Sequence, residues 1–181
     1  MTLKHLLFIF LISSFSVIYA QKNKTGPVIE QFGAVFQIEN PDLILDKDKV
    51  HKVIFDIYTD SEKIEGINPL INSVARFLNM HAQHGVPAAN MKVAVVMHGA
   101  AAKNALNDSA YQERFKVNNP NIALIAALKE AGVAIYVCGQ SFNSRGFKRA
   151  NLNTNILFSL SAMTALVKYQ EEGYQIINFN N

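Results

Sequence analysis

Short runs of β-branched and other apolar residues alternate with helix-like stretches along this chain. Three runs occupy residues 52–58, 92–97 and 133–137, and a fourth closes the chain at 174–179. Runs of this kind, with little polar alternation, are typical of strands buried on both faces. Their alternation with helices predicts an α/β fold, a three-layer α/β/α sandwich around a mainly parallel wound sheet.

The stretches between the predicted strands carry helix signals. Residues 66–84 place apolar side chains at steps of three and four, and Gly85 is suited to end that helix. Asn119 is predicted to cap a later helix whose first turn contains Pro120. Between these two, the mostly polar residues 100–118 are predicted to hold two short helices.

The region after the third strand is predicted to begin with a loop or short helix over residues 139–153. A long helix is then predicted over residues 154–172, ended by Gly173. Its predicted buried side consists of Ile156, Leu160, Met163 and Val167.

The amino terminus has the pattern of an export signal. Lys4 and His5 precede the apolar residues 6–12, and the small residue Ala20 is followed by a polar stretch. The apolar segment is too short to span a bilayer comfortably. We predict that residues 1–20 are a cleaved signal peptide and that the protein is exported to the periplasm. The alternative is an uncleaved membrane anchor.

After cleavage about 160 residues remain, which suits one domain with a hydrophobic core. Residues 21–50 are predicted to form a lead-in arm or edge strand, and residues 51–181 a single α/β domain. The full chain has 17 Lys and Arg against 14 Asp and Glu, and cleavage removes Lys4. The nearly neutral mature chain gives no case for nucleic acid or a membrane surface as a partner.

Cys138 is the only cysteine of the chain and directly follows the predicted strand 133–137. In parallel α/β sheets, ligands and reactive groups collect at the carboxyl ends of the strands. A single cysteine forms no disulfide within its chain, so Cys138 is a free thiol, a site of intermolecular pairing or a nucleophile. The alternative is a cysteine that only packs in the core.

Two other side chains follow predicted strands and are expected at the same edge of the sheet. His98 comes directly after residues 92–97, and Asp60 lies beyond residues 52–58. An imidazole beside a thiol favours the thiolate near neutral pH. The alternatives are that His98 bonds the polar loop after it and that Asp60 has a structural role.

The charge around Cys138 is one-sided. Residues 131–170 contain no Asp or Glu, and their cations are Arg145, Lys148, Arg149 and Lys168. If the first three fold back over the thiol, they lower its pKa and bind a small anion. Backbone amides near Gly139 would add donors. The alternative is a solvated basic loop without a ligand.

Several familiar sites are missing from the sequence. It contains no G-x-G-x-x-G, P-loop, G-x-S-x-G, H-E-x-x-H or C-x-x-C pattern. His81 and His84 have a helical spacing that could share a metal ion, but no third ligand is near them in sequence. We therefore expect neither a cofactor nor a metal, and no dithiol cycle within the chain.

Taken in order, several short motifs resemble those of the DsrE/DsrF-like (YchN-like) family of small α/β proteins. They are GPVI at 26–29, KVIFD at 52–56, VMHG at 96–99, LKEAGV at 128–133, the Cys138-Gly139 strand end and QEEGY at 170–174. The resemblance implies a homo-oligomer, a trimer or a dimer of trimers, with its site near a subunit interface. It also implies that Cys138 matches a strand-end cysteine that carries sulfur as a persulfide between partner proteins.

Two functions follow as hypotheses. In the first, a sulfurtransferase-type activity, Cys138 accepts sulfur from a small sulfur anion or a partner protein and passes it to a second thiol. Arg145, Lys148 and Arg149 would stabilise the thiolate or an anionic donor, and His98 would move a proton. In the second, the protein is a non-enzymatic oligomeric binding protein for a small anion or metabolite.

Overall fold

A computed structural model describes residues 23–60 and 63–179 of the chain. The predicted signal peptide lies outside the described residues. Within the described ranges, no helix is both long and apolar enough to cross a membrane.

The described chain forms one parallel sheet of five strands. The strand order is β4-β3-β2-β1-β5, and every neighbouring pair is parallel. This confirms the predicted α/β fold and adds one short edge strand, β4, beside β3. The strands are β1 (His51–Ile57), β2 (Met91–Met97), β3 (Ala134–Cys138), β4 (Leu157–Ser159) and β5 (Gln175–Asn178).

Five α-helices and short 3₁₀ turns connect the strands. Helix α1 begins at Pro69 rather than at residue 66, because the side chain of Asn68 accepts hydrogen bonds from the first free amides of the helix. A 3₁₀ turn over Gly99–Ala105 follows β2. The helices are α1 (Pro69–Gln83), α2 (Asp108–Phe115), α3 (Ile122–Glu130), α4 (Gly139–Ser144) and α5 (Ala162–Glu171).

The prediction of one long helix over residues 154–172 was wrong. Its first part pairs with β3 as strand β4, and Ser161 caps the shorter helix α5 by accepting from the amide of Thr164. Most of the predicted buried side was also wrong, because Leu160, Met163 and Val167 are 70%, 74% and 55% exposed, although Ile156 is buried. Helix α5 instead packs through the small residues Ala162 and Ala165.

The predicted cap of the later helix was wrong as well. Helix α3 begins at Ile122, and the side chain of Asn119 does not cap it. Instead, the side-chain amide of Asn119 donates to the backbone carbonyls of Asn104 and Leu106 at 3.0 and 2.8 Å. The buried asparagine thus joins the turn after β2 to the start of α3, a long-range role that a local spacing does not reveal.

The sheet buries its two faces differently. One face, covered by α1 and α3, holds the larger cluster of Val, Ile, Leu and Phe side chains. The other is covered by α5, and its buried cluster contains Ile54, Ala94, Val96 and Cys138. Because side chains alternate along a strand, Val137 belongs to the first face and Cys138 to the second.

The lead-in segment packs against α1 as an irregular arm. The carboxamide of Asn79 accepts from the amides of Val28 and Ile29 and donates to the carbonyls of Ile29, Phe32 and Gly33. Only a single antiparallel bridge, between Lys24 and Val35, has strand-like pairing in the described part of this arm. The arm is therefore held by side-chain hydrogen bonds and not by the sheet.

Candidate functional site

Cys138 is the last residue of β3 and also the residue that caps α4. The chain passes directly from strand to helix, which turns the amides of the first helical turn toward the cysteine sulfur. The residue is 4% exposed and lies on the α5 side of the sheet. The thiol therefore occupies the carboxyl edge of the sheet, as predicted.

One hydrogen bond reaches the sulfur of Cys138, from the amide nitrogen of Ser141 at 3.4 Å. Burial raises the pKa of Cys138, but four donors together outweigh it and lower the pKa below that of an ordinary thiol. These donors are the hydroxyl and the amide of Ser141 and the amides of Ala162 and Gln140. The arrangement shifts the thiol toward its thiolate form.

The hydroxyl of Ser141 is oriented by the loop after β2. The amide of Gly99 donates to Ser141 Oγ at 3.0 Å, so the oxygen is used as an acceptor and its hydrogen is available for the cysteine sulfur. The carbonyl of Gly99 accepts from Nε of Arg145 at 2.6 Å. Gly99 thus joins the end of β2 to both ends of α4.

The conformation at Gly99 requires glycine. Its φ is +51°, in the left-handed region, and a Cβ at this position would overlap the ring of Tyr58. The ring of Tyr58 also packs on that of His98, with centroids 5.1 Å apart. The amide that holds Ser141 is therefore placed by a close contact between the ends of β1 and β2.

His98 pairs with Asp56 and does not contact Cys138. Its Nε2 lies 2.7 Å from Oδ1 of Asp56, whose other oxygen accepts from Asn178 at 3.3 Å. In the described part of the chain, no hydrogen bond, ion pair or ring contact joins His98 to Cys138. The two side chains end neighbouring strands, and Gly99 and Ser141 provide the connection between them.

The three cations predicted near the thiol have different positions. Arg145 bonds the carbonyl of Gly99 and so reaches the edge of the sheet. The guanidinium of Arg149 lies over the ring of Phe158, 5.0 Å from its centroid. Lys148 is exposed and lines an open groove together with Arg145. The groups that lower the pKa of Cys138 are backbone amides and a hydroxyl, and none of these cations is among them.

Asp60 belongs to a buried polar network next to this edge. Its Oδ2 forms an ion pair with Nζ of Lys103 at 2.9 Å, and its Oδ1 accepts from Asn68 at 2.8 Å. Burial, with the Asp60 charge as a second cause, raises the pKa of Tyr111 to about 12. In this structure Asp60 connects the end of β1 to the turn after β2.

Gly139 lies under the edge strand β4. A Cβ here would come within 2.7 Å of the ring of Phe158 and 2.8 Å of the carbonyl oxygen of Ser159. A side chain would therefore push β4 away from the start of α4. The residue therefore allows the close approach of β4 to the start of α4.

A comparison with family models decides the relationship of the chain. The model of the DsrE/DsrF-like family matches residues 52–179, which is well over half of the sequence. The chain belongs to the DsrE/DsrF-like family. Membership supports, at the level of the family, a role related to sulfur relay.

Solved structures agree with this membership in fold. The chain is similar to MTH1491, a protein of unknown function from Methanobacterium thermoautotrophicum, with 18% identity over 71% of this chain and 98% of that one, at a TM-score of 0.53. It is also similar to the YchN protein of E. coli, with 15% identity over 72% and 100% of the two chains, at a TM-score of 0.51. No curated protein matches the chain.

Two histidines near the end of α1 in this DsrE/DsrF-like protein have structural partners. Both ring nitrogens of His84 lie near carbonyl oxygens, Nδ1 at 2.8 Å from that of Met80 and Nε2 at 3.1 Å from that of Ile38. The ring of His81 packs on that of Phe77, with the ring centroids 4.5 Å apart. Within the described ranges, no group of three or more His, Cys, Asp or Glu side chains is arranged to hold a metal ion.

The sequence prediction missed Ser141 and Ala162, which supply donors to the sulfur. A signal for Ser141 exists, because a cap and the third residue of its helix are three positions apart. Ala162 has no such signal, since α5 meets Cys138 only through the folded sheet. Asp56 is a buried charge inside β1, and its pairing with His98 depends on the parallel register of β1 and β2.

Proposed function

We propose that this protein carries sulfane sulfur on Cys138. The thiolate accepts one sulfur atom from a small sulfur anion or a partner's persulfide and passes it to a second thiol. The observation that supports this most is the position of Cys138 at the carboxyl edge of β3, where its sulfur accepts from the Ser141 amide and nearby donors lower its pKa. Family membership supports the same class of role.

The proposed chemistry needs no cofactor and no external oxidant. With thiosulfate as donor, the thiolate attacks the outer sulfur, the sulfur–sulfur bond of thiosulfate breaks, and sulfite leaves with its electron pair. The product is the persulfide of Cys138. In the second step an acceptor thiolate attacks the outer sulfur of that persulfide, and the Cys138 thiolate is released.

The surrounding groups favour both steps. Ser141, Gln140 and Ala162 donate to the sulfur, which stabilises the thiolate as nucleophile in the first step and as leaving group in the second. The cations Arg145, Lys148 and Arg149 attract an anionic donor, and His98 exchanges a proton with the acceptor thiol. Gly139 and Asp60 hold the edge of the sheet in shape.

The proposal includes self-association and export. Helix α5 exposes Met163 and Val167, and Leu157 of β4 and Leu160, between β4 and α5, are exposed as well. A second copy of the chain covering this apolar surface would place its interface next to the thiol. Sedimentation of the mature protein tests a trimer or hexamer, and fractionation of cells tests the periplasmic location.

Intact-mass spectrometry tests the central step. After incubation with polysulfide or thiosulfate, the protein should gain one sulfur atom, and Cys138→Ser should gain none. The alternative, an oligomeric protein that only binds an anion, predicts no covalent adduct. A thiol that forms no adduct and stays inert to iodoacetamide in the native protein would rule out the sulfur-carrying role.

A further inference from the structure

A groove with a basic lining lies between α2 and the segment after α4. Its volume is about 640 Å³. The cations on its walls are Arg114 and Lys116 from α2 and Arg145 and Lys148 from the opposite side, and the single acid among the lining residues is Glu113. The sequence prediction attributed an anion site to Arg145 and Lys148 but did not foresee the contribution of α2.

The two walls of the groove are fixed to each other by the backbone. Leu106 and Leu152 form an antiparallel bridge, and the amide of Asn107 donates to the carbonyl of Asn151 at 2.8 Å. The amide of Asn153 donates to the carbonyl of Ala105 at 2.9 Å. A ligand therefore meets a groove of defined width, and binding does not require the walls to be ordered first.

The cations of the groove are not neutralised by carboxylates. Nζ of Lys116 bonds the backbone carbonyl of Glu113 at 2.9 Å, and Arg145 bonds that of Gly99. The ion pairs among the described residues involve other cations, namely Lys49, His98, Lys103 and Lys168. Four cations facing one acid give the groove a positive potential, which favours an anionic ligand.

The size and floor of the groove favour a peptide over a small ion. A volume near 640 Å³ exceeds what an inorganic anion fills and is in the range of sites that hold an organic ligand. The partly exposed ring of Phe147 adds apolar surface between the cations. Such a mixture fits an acidic peptide with an apolar side chain better than the uniform backbone of a nucleic acid.

We propose that this groove docks an acidic segment of the protein that exchanges sulfur with Cys138. Arg145 lies in both places, because it lines the groove and bonds the carbonyl of Gly99, whose amide holds Ser141 against the thiol. A segment bound in the groove would therefore lie against Arg145, which contacts the loop that orients Ser141. The choice of partner rests on the proposed function, whereas binding of an acidic peptide is measurable without any sulfur transfer.

The experiment measures binding by fluorescence anisotropy. The probe is a short labelled peptide of glutamate and leucine, and the protein is the full chain carrying Cys138→Ser. Removing the thiol separates docking from sulfur chemistry. The double variant Arg114→Glu/Lys148→Glu is compared with Lys92→Glu/Lys129→Glu, which changes the net charge equally at exposed positions outside the groove. A lysine and leucine peptide, a single-stranded oligonucleotide and inorganic sulfate at equal ionic strength complete the set.

The proposal predicts that the acidic peptide binds, that the groove variant weakens binding at least about tenfold, and that the control variant stays close to the parent. Equal loss in both variants would show a general charge effect and overturn it. So would groove-dependent binding of the oligonucleotide tighter than that of the peptide, or full displacement of the peptide by sulfate. Persulfide loading of the native protein is measured separately, so the docking proposal and the sulfur-carrying proposal can each be overturned while the other stands.

Discussion

The amide nitrogen of Ser141 lies 3.4 Å from the sulfur of Cys138, and the hydroxyl of the same serine, which accepts from Gly99, also lowers the pKa of that thiol. One residue therefore supplies two of the four donors that lower this pKa. Of these two donors, only the hydroxyl can be removed by a substitution that leaves the backbone unchanged. This makes Ser141 the sharpest point at which to test the electrostatics of the site.

Replacing Ser141 by alanine should raise the pKa of Cys138, because the thiolate loses the hydroxyl donor while burial still opposes its charge. We expect alkylation by iodoacetamide near neutral pH to slow by roughly three- to tenfold, which corresponds to the net value of about 0.7–1.4 kcal/mol for a typical hydrogen bond. The measurement is the alkylation rate across a pH series, followed by intact mass.

Ser144→Ala is the matched control for that experiment. Ser144 belongs to the same helix, is exposed, and donates its hydroxyl to the carbonyl of Ser141 rather than to the sulfur. Its alkylation profile should coincide with that of the parent protein. Equal profiles for Ser141→Ala and the parent would show that the hydroxyl does not act on the thiol.

Replacing Gly99 by alanine should disturb both stability and the thiol. The new Cβ would overlap the ring of Tyr58 in a left-handed conformation, so we expect a loss of about 2–4 kcal/mol in the free energy of unfolding. The displaced amide would no longer orient Ser141, and alkylation of Cys138 near neutral pH should slow. Chemical denaturation and the alkylation rate measure the two effects.

Gly85→Ala separates the backbone cost from the overlap. Gly85 also has a positive φ, +89°, but nothing lies within 4 Å of its added Cβ. This variant should lose only about 1 kcal/mol and keep the alkylation rate of the parent. If both glycine variants lost the same stability, the contact between Gly99 and Tyr58 would have no energetic importance.

Much of the fold could be predicted because its signals are local. The strands 52–58, 92–97 and 133–137 are buried on both faces, so their apolar runs are visible without knowledge of their neighbours. The prediction of one helix over 154–172 was wrong because it relied on apolar spacing alone. The apolar residues Leu160 and Met163 are exposed, whereas the buried side of α5 consists largely of small residues. Apolar spacing along a helix does not reveal which of its faces packs against the sheet.

His98 should have little influence on the thiol. Its Nε2 bonds Asp56, and the groups that lower the pKa of Cys138 do not include it. The variant His98→Gln should therefore alkylate with the same pH dependence as the parent, although it should release sulfur to an acceptor more slowly if His98 moves a proton. A shift of the alkylation profile comparable to that of Ser141→Ala would contradict this assignment.

The site was harder to predict than the fold because its contacts cross the sheet. That Cys138 ends a strand follows from local pattern, but the partners of its sulfur come from α4 and from α5, which is distant in sequence. The expected neighbour His98 is paired with Asp56 instead, since parallel β1 and β2 in register bring these two side chains together. Register between strands is not contained in any one motif.

The lead-in arm should respond to pH through His84. Hydrogen bonds to the carbonyls of Met80 and Ile38 raise the pKa of this histidine. A raised folded pKa gives stability that is fully present below the unfolded value of about 6.5 and is lost as the pH rises through the folded value. Hydrogen exchange near Ile38, corrected for intrinsic rates, should show less protection at about pH 8 than at about pH 5.5.

His84→Gln should abolish that dependence, because glutamine does not titrate. His51→Gln is the control, since His51 contacts the carbonyl of Asp46 and not that of Ile38. Its exchange near Ile38 should keep the pH dependence of the parent. Protection that falls with pH equally in His84→Gln would mean that another group holds the arm.

One measurement tests the central claim most directly: intact mass through a full cycle of loading and release. The protein is loaded with polysulfide, freed of excess donor, and mixed with a thiol acceptor. The proposal predicts a gain of one sulfur atom that disappears on mixing and appears on the acceptor, with no gain in Cys138→Ser. A loaded sulfur that never reaches the acceptor, or the same gain in Cys138→Ser, would contradict it.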